Sequence, residues 1–136
     1  MNLVRLTGSR TILDDCYNAN PQSVTAALEI LAKTECDRKI AVLGDMGELG
    51  DLTEQAHYNI GALAAMLGID QIFAVGTKAS KIAEGAEDNG GQVQHFATKE
   101  EALASVRESF TADTAMLVKA SHAMHFEWLV EQLRQE

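Results

Sequence analysis

The sequence predicts an α/β fold, a Rossmann-like three-layer sandwich in which helices cover both faces of a mostly parallel sheet. Four short runs, at residues 40–43, 71–75, 93–96 and 115–118, are almost wholly apolar, which is typical of strands buried on both faces of a parallel sheet. Helical stretches lie between these runs. Because the chain has 136 residues, 46% of them hydrophobic, we expect residues 1–136 to form one domain.

The chain begins with a predicted β-hairpin. Residues 3–7 alternate apolar and polar side chains as a half-exposed strand does, and residues 11–13 make the second strand after a turn at Gly8 and Ser9. The parallel strands that follow need crossovers, which are right-handed in nearly all sheets. Ligands of such sheets bind beyond the carboxyl ends of the strands, so the residues at those ends matter most for function.

The first helix has a well-defined predicted start. Asn20 is a typical N-cap, and Pro21 suits the first helical position. One buried stripe then recurs at helical spacing: Val24, Ala27, Leu28 and Leu31.

Two further helix starts are predicted from capping-box spacings, Asp51 with Glu54 and Thr98 with Glu101. Gly68 suits the position just after the end of the helix that Asp51 would open. The last helix is expected to bury four apolar residues: Phe126, Leu129, Val130 and Leu133.

The charge and hydropathy of the chain exclude several classes of partner. A formal net charge of -9 would be repelled by nucleic acid and by anionic lipid, so neither is an expected partner. No apolar run approaches the ~18 residues needed to cross a bilayer. We therefore predict no membrane association.

The cysteines and histidines give no metal-ligand pattern. Cys16 and Cys36 lack metal-ligand spacing, which favours a reduced, cytoplasmic protein. His95 and His125 have no partners at ligand spacing, so we predict no metal site. His57 lies beside a buried helical stripe, and we expect its role to be structural.

A first polar cluster follows the hairpin. Two adjacent carboxylates, Asp14 and Asp15, end a strand, and a turn with Tyr17, Asn18 and Asn20 leads directly into a helix. Consecutive strand residues point to opposite faces, so one carboxylate could face the crevice while the other braces the loop. An ordinary strand end with a helix cap is the other interpretation, and it stays open at this point.

A second cluster follows the strand at residues 40–43. Three glycines within residues 44–50 require a sharp bend or a close approach. The loop is not a P-loop, because G-x-x-x-x-G-K-[ST] is absent. Its carboxylates, Asp45 and Glu48, would repel bare phosphate but could receive an ammonium group or a metal-bound water. An acidic surface turn is the alternative.

A third cluster, Lys119, Ser121 and His122, follows the last strand. A cation, a hydroxyl and an imidazole just ahead of a helix could hold an anion, with help from the helix N-terminus. The other interpretation is a solvated lysine followed by residues that only cap the closing helix.

Three strings carry a resemblance to the MurF ligases. DDCYNANP at residues 14–21 resembles the family's DDSYNANP signature, and VLGDMGELG at 42–50 is close to its VLGDMxELG. LVKASH at 117–122, with Glu127 beyond it, is similar to the family's LVKGSR…E ending. His57 stands where the family usually has a histidine, and order and spacing agree over essentially the whole chain.

The departures from the family pattern fall in these same strings. Cys16 replaces the usual Ser, Ala120 replaces Gly, and His122 replaces Arg. A histidine offers fewer donors than an arginine, and its charge depends on pH. The family's nucleotide-contacting Arg would precede Met1, so we expect the chain to be part of a longer polypeptide.

The resemblance implies the C-terminal domain of a three-domain ligase that adds D-alanyl-D-alanine to UDP-N-acetylmuramoyl-tripeptide. ATP and Mg²⁺ serve the full-length enzyme, and the P-loop lies in a central ATPase domain of the same polypeptide. The tripeptide carboxylate is phosphorylated, and the dipeptide amine attacks the acyl phosphate. This domain is expected to close over ATP and to help bind the dipeptide.

The resemblance also implies roles for individual residues. The implied nucleotide contacts, with Asp15 accepting from the ribose, are Asp15, Tyr17, Asn18 and Asn20. The implied substrate contacts are Asp45, Glu48, Lys119, Ser121 and His122. No catalytic residue and no metal ligand is implied within this domain.

Two other classes of protein remain open from the residues alone. A phosphorylated receiver domain also places acids and a lysine at strand ends, and Asp14, Asp15, Asp45 and Lys119 could imitate that set. Only one helix fits between Asp15 and the strand that ends near Asp45, which disfavours a receiver. A stand-alone binding module without a catalytic role is the third possibility.

Overall fold

The computed structural model describes residues 1–135 and contains one six-stranded sheet with five α-helices. The strands are β1 (Asn2–Leu6), β2 (Arg10–Asp15), β3 (Arg38–Gly44), β4 (Gln71–Val75), β5 (Val93–Phe96) and β6 (Thr114–Lys119). The helices are α1 (Pro21–Lys33), α2 (Thr53–Met66), α3 (Ser80–Asp88), α4 (Lys99–Ser109) and α5 (Glu127–Arg134). Three short 3₁₀ turns complete the order, at Thr7–Ser9, Gly50–Leu52 and His122–Met124.

The strand order confirms the predicted fold class. The sheet runs β1-β2-β6-β3-β4-β5, with β1 antiparallel to β2 and every other pair parallel. The last strand therefore lies in the middle of the sheet, between β2 and β3. All six of its residues are buried, including residues 115–118, whose burial the apolar sequence predicts.

The two faces of the sheet carry different helices. One core contains Leu13, Leu43 and Leu117 from the strands and packs them against α1, α2 and α3. The opposite core contains Val42 and Val118 and packs against α4 and α5. Because side chains alternate along a strand, β2 to β6 each contribute to both cores, whereas β1 contributes only to the second, and the result is the three-layer sandwich.

A crevice forms where neighbouring strands send their chains to opposite faces. From its carboxyl end, β2 leads to α1 on the first face, whereas its neighbour β6 leads to α5 on the second. The two connections diverge and leave a gap beyond the strand ends, which is the usual ligand position in such sheets.

The helix starts follow the sequence in two cases and depart from it in one. Asn20 and Thr98 cap α1 and α4, each accepting a hydrogen bond from the backbone N–H three residues later. The capping box predicted for Asp51 and Glu54 is wrong. Residues 50–52 form a 3₁₀ turn, and α2 starts at Thr53 without a side-chain cap. Within the turn, the Thr53 backbone N–H donates to the Gly50 carbonyl.

The sequence predicts a helical stretch between β4 and β5 without bounds, and it does not predict the close packing of α2 against α3. Gly61 and Gly85 let the two backbones touch: a Cβ on Gly61 would overlap the carbonyl of Ile82, and a Cβ on Gly85 that of Tyr58. No helix among residues 1–135 is long and apolar enough to cross a membrane.

Candidate functional site

An ion pair joins the carboxyl ends of β2 and β6. Asp15 and Lys119 are register partners in these parallel strands, so their side chains leave the sheet on the same face. The Lys119 ammonium donates to Asp15 Oδ2 at 2.6 Å and to the Asn18 carbonyl at 2.9 Å. Lys119 is 1% exposed through its side chain and Asp15 22%. The buried cation therefore fixes both the carboxylate and the loop that follows it.

Asp14 and Cys16 lie on the other face of β2. The Cys16 thiol is buried and donates to the Val118 carbonyl at 3.7 Å. Burial, with the nearby Asp14 carboxylate, raises the pKa of Cys16 far above its ordinary value. The raised pKa favours the protonated thiol, which is a weaker nucleophile than the thiolate.

Two rings stand at the mouth of the crevice. Tyr17 is 80% exposed, and its ring lies 5.1 Å from that of His122, centroid to centroid, with an interplanar angle of 35°. The His125 ring is 5.6 Å from His122, and its Nδ1 is 3.1 Å from Glu127 Oε1. The Glu127 backbone N–H, followed by the His125 contact, lowers the pKa of the Glu127 carboxyl.

The alternative interpretation, in which His122 only caps the closing helix, is wrong. His122 opens the 3₁₀ turn His122–Met124, and the N-cap of α5 is Phe126. The four apolar residues expected in the last helix are all buried. His122 is left exposed beside Tyr17, on the crevice side.

A cavity of about 340 Å³ lies against these groups. Its lining residues are Met1, Asn2, Asp14, Asp15, Cys16, Tyr17, His122 and Glu127. Three of them are carboxylates and none is Lys or Arg, so the wall that residues 1–135 provide favours neutral or cationic groups over phosphate. Asn2 lines the cavity because it pairs with Asp14 across the hairpin of β1 and β2. Assigning a register to the predicted hairpin would have placed Asn2 beside Asp14.

The loop between β3 and α2 contacts the chain segments that follow β4 and β6. Asp45 Oδ1 accepts from the Ala79 backbone N–H at 2.8 Å, and the Asp45 carbonyl accepts from Ser121 N–H at 3.0 Å. Gly76 leaves room for the Asp45 carboxylate, because a Cβ there would overlap it. Glu48 is exposed at the turn of the loop, with φ 59°.

The predicted site residues thus do not all line one cavity. Asp15, Tyr17 and His122 line one cavity. Asn20 uses its side-chain oxygen to cap α1, and Lys119 is enclosed behind Asp15. Among residues 1–135, no group of three or more His, Cys, Asp or Glu side chains is arranged to hold a metal ion.

The fold is an α/β domain of Rossmann-like architecture with a crevice at the carboxyl ends of β2 and β6. The sequence profile of the family described as "Mur ligase, glutamate ligase domain" matches residues 1–122. The chain belongs to this family, which does not favour the receiver-like or stand-alone alternatives.

Curated relatives at similar identity share one name, UDP-N-acetylmuramoyl-tripeptide--D-alanyl-D-alanine ligase. The Bacillus subtilis (strain 168) protein is 36% identical over 136 residues, covering 98% of this chain and 30% of its own length. The Escherichia coli (strain K12) protein is 33% identical over 134 residues, covering 97% of this chain and 28% of its own length. The chain therefore spans about 30% of the length of the curated relatives it matches.

Solved structures give the same result for the fold. A crystal structure of MurF from Acinetobacter baumannii superposes with a TM-score of 0.89 at 34% identity, covering 99% of this chain and 30% of that one. A MurF ligase from Thermotoga maritima superposes with a TM-score of 0.84 at 24% identity, again covering 99% and 30%.

Proposed function

We propose that this chain acts as the C-terminal domain of an ATP-dependent ligase that joins D-alanyl-D-alanine to UDP-N-acetylmuramoyl-tripeptide. The observation that carries the proposal is the crevice at β2 and β6. There, a carboxylate held by Lys119 lies beside the Tyr17–His122 ring pair. The chain that forms this crevice is 36% identical to the Bacillus subtilis protein named as that ligase. ATP and UDP-linked precursors are cytoplasmic metabolites, so the cytoplasm is the proposed location.

The charge of the crevice suggests which end of ATP it receives. Asp15 is fixed in direction by Lys119, and a carboxylate so held is suited to accept from the ribose hydroxyls. The exposed ring of Tyr17 offers an aromatic face to a base. Because the lining holds three carboxylates, the phosphates and Mg²⁺ would lie toward the central domain of the same polypeptide.

The loop between β3 and α2 is the proposed acceptor side. Glu48, exposed at the turn, could pair with the ammonium group of the dipeptide. Ser121 and His122 could bind the carboxylate of the dipeptide. Asp45 already accepts from Ala79 N–H, so its contribution would be to hold the loop. Asn18 presents its carbonyl to Lys119, and Asn20 shapes the turn through its cap. Closure of this wall would exclude water from the reactive acyl phosphate.

Binding can be mapped on the 136-residue chain by NMR. Titration of the ¹⁵N-labelled chain with adenosine should shift the amides of Tyr17 and His122, and D-alanyl-D-alanine should shift those around Glu48. We expect millimolar affinity, because one wall of a site provides few contacts. Shifts confined to other surfaces, or none for either ligand, would contradict the proposed positions.

Activity can be measured in a chimera that carries this chain in place of the matched segment of the Bacillus subtilis ligase. The chimera should release ADP only when both tripeptide substrate and D-alanyl-D-alanine are present. Tyr17→Ala should raise KM for ATP about two- to tenfold, as expected for loss of one ring contact. Tyr58→Ala is the matched control, because Tyr58 contacts Asp88, remote from the crevice. A well-folded chimera with dipeptide-independent ADP release would refute the assignment.

A further inference from the structure

His57 is a fully buried imidazole on α2 with a backbone group at each ring nitrogen. Its Nε2 lies 2.9 Å from the Met46 backbone nitrogen, and its Nδ1 lies 2.6 Å from the Thr53 carbonyl oxygen. A backbone N–H can only donate and a carbonyl can only accept. His57 Nε2 must therefore accept and Nδ1 must donate, which fixes the neutral Nδ1–H tautomer.

The Met46 contact links α2 to the loop at residues 44–50. Met46 is 1% exposed, so its N–H has no access to water and depends on this imidazole for a partner. The residue before it, Asp45, accepts hydrogen bonds from the backbone N–H groups of Ala79 and Ser121, which lie in the segments after β4 and β6. The residue two positions after it is the exposed Glu48. One side chain thus anchors the backbone between the two carboxylates of the loop.

We propose that His57 is a positioning residue for the acceptor side of the crevice: its Nε2 holds the Met46 N–H and so keeps Asp45 and Glu48 at the strand ends. This inference rests on the proposed function for its effect on dipeptide use. The anchoring itself is a property of the chain and can be tested apart from activity.

The tautomer provides a test that needs no substitution. Long-range ¹H–¹⁵N spectra of the 136-residue chain should show His57 protonated at Nδ1 and bare at Nε2. His95 is the internal reference, because its Nε2 lies 2.7 Å from the Gly76 carbonyl and must carry a proton. A proton on His57 Nε2 would overturn the proposal.

Two substitutions separate the two hydrogen bonds of the ring. By bond count, a glutamine amide reaches the level of Nε2, whereas an asparagine amide reaches only the level of Nδ1. His57→Gln should therefore retain an acceptor for Met46, and His57→Asn should retain only a donor for Thr53. Amide exchange at Met46, and spectral change across residues 44–50, should increase in His57→Asn and stay near wild type in His57→Gln.

The effect on substrate use should be confined to the dipeptide. In the chimeric ligase, His57→Asn should raise KM for D-alanyl-D-alanine about three- to tenfold, the range for one lost hydrogen bond, with KM for ATP within about twofold. His57→Gln should restore the dipeptide KM. Equal exchange and equal dipeptide KM in the two variants would refute the positioning role. If the wild-type chimera is inactive, the proposed function fails, and the tautomer and exchange still decide whether His57 holds the loop.

Discussion

Lys119 and Asp15 form a 2.6 Å ion pair at adjacent strand ends, although 104 residues separate them in the chain. The lysine is almost completely enclosed, and the carboxylate keeps about a fifth of its side chain exposed on the crevice side. Burial of an ammonium group is costly unless it is paired and hydrogen-bonded. The pair therefore couples the stability of the fold to the geometry of the candidate site.

Asp15→Asn should destabilise the folded chain by about 3 kcal/mol, the lower end of the range for a broken buried pair. The substitution leaves the Lys119 ammonium buried without a counter-charge. Denaturant unfolding of the isolated chain measures this loss. Asp14→Asn is the matched control, because Asp14 neighbours Asp15 but lies on the opposite face of β2, and a cost below about 1 kcal/mol is expected. Equal losses in the two variants would contradict the importance of the pair.

Gly61→Ala should lower the free energy of unfolding by about 1–3 kcal/mol, the usual cost of overpacking. The added methyl would overlap the Ile82 carbonyl, and α2 and α3 would have to separate. Gly47→Ala is the control, since nothing lies within 4 Å of a Cβ at Gly47. Thermal unfolding of both variants gives the comparison, and a Gly61→Ala melting temperature at or above that of Gly47→Ala would rule out the close helix contact.

Cys16 should make the stability fall in alkaline solution. Its pKa in the folded protein is raised above the ordinary value of 9.0, mainly by burial. Above that value, the unfolded chain loses the thiol proton while the folded protein keeps it, so the free energy of unfolding decreases as pH rises. The slope from this group is at most about 1.4 kcal/mol per pH unit.

Cys16→Ser removes this titration and keeps a donor for the Val118 carbonyl. The difference in unfolding free energy between wild type and Cys16→Ser should therefore be constant below about pH 8 and shift in favour of the variant above pH 9. Other groups that titrate in this range are common to both proteins, so their contributions cancel in the difference of unfolding free energies. Parallel pH profiles would show that the thiol ionises equally in both states.

The isolated chain should neither hydrolyse ATP nor form amide bonds. Phosphoryl transfer needs cations around the phosphates, and the crevice wall formed by residues 1–135 presents carboxylates with no metal-ligand cluster. A coupled assay of ADP release from the pure chain should match the protein-free rate. ADP release that Tyr17→Ala abolishes would contradict this prediction and would place catalytic machinery in the chain itself.

The sequence alone determined the buried strands β3, β4 and β6 and the helix caps at Asn20 and Thr98. These features depend on residues a few positions apart, where periodicity and hydrogen-bonding chemistry act directly. The prediction that residues 93–96 are buried on both faces is wrong, because β5 is an edge strand with no buried residue. The same local rules misplaced the start of α2, because Asp51 and Glu54 match a capping spacing that a 3₁₀ turn replaces. The motif strings marked Asp15, Asp45 and Lys119 without showing what each side chain touches.

Only the tertiary structure decided those contacts. The insertion of β6 between β2 and β3 sets Lys119 opposite Asp15, and it brings Ser121 within reach of the Asp45 carbonyl. The packing of α2 on the sheet aims His57 at the Met46 N–H. Strand neighbours and register follow from the burial of whole faces against helices that are distant in sequence. For that physical reason, the partner of a buried charge or imidazole cannot be read from the residues around it.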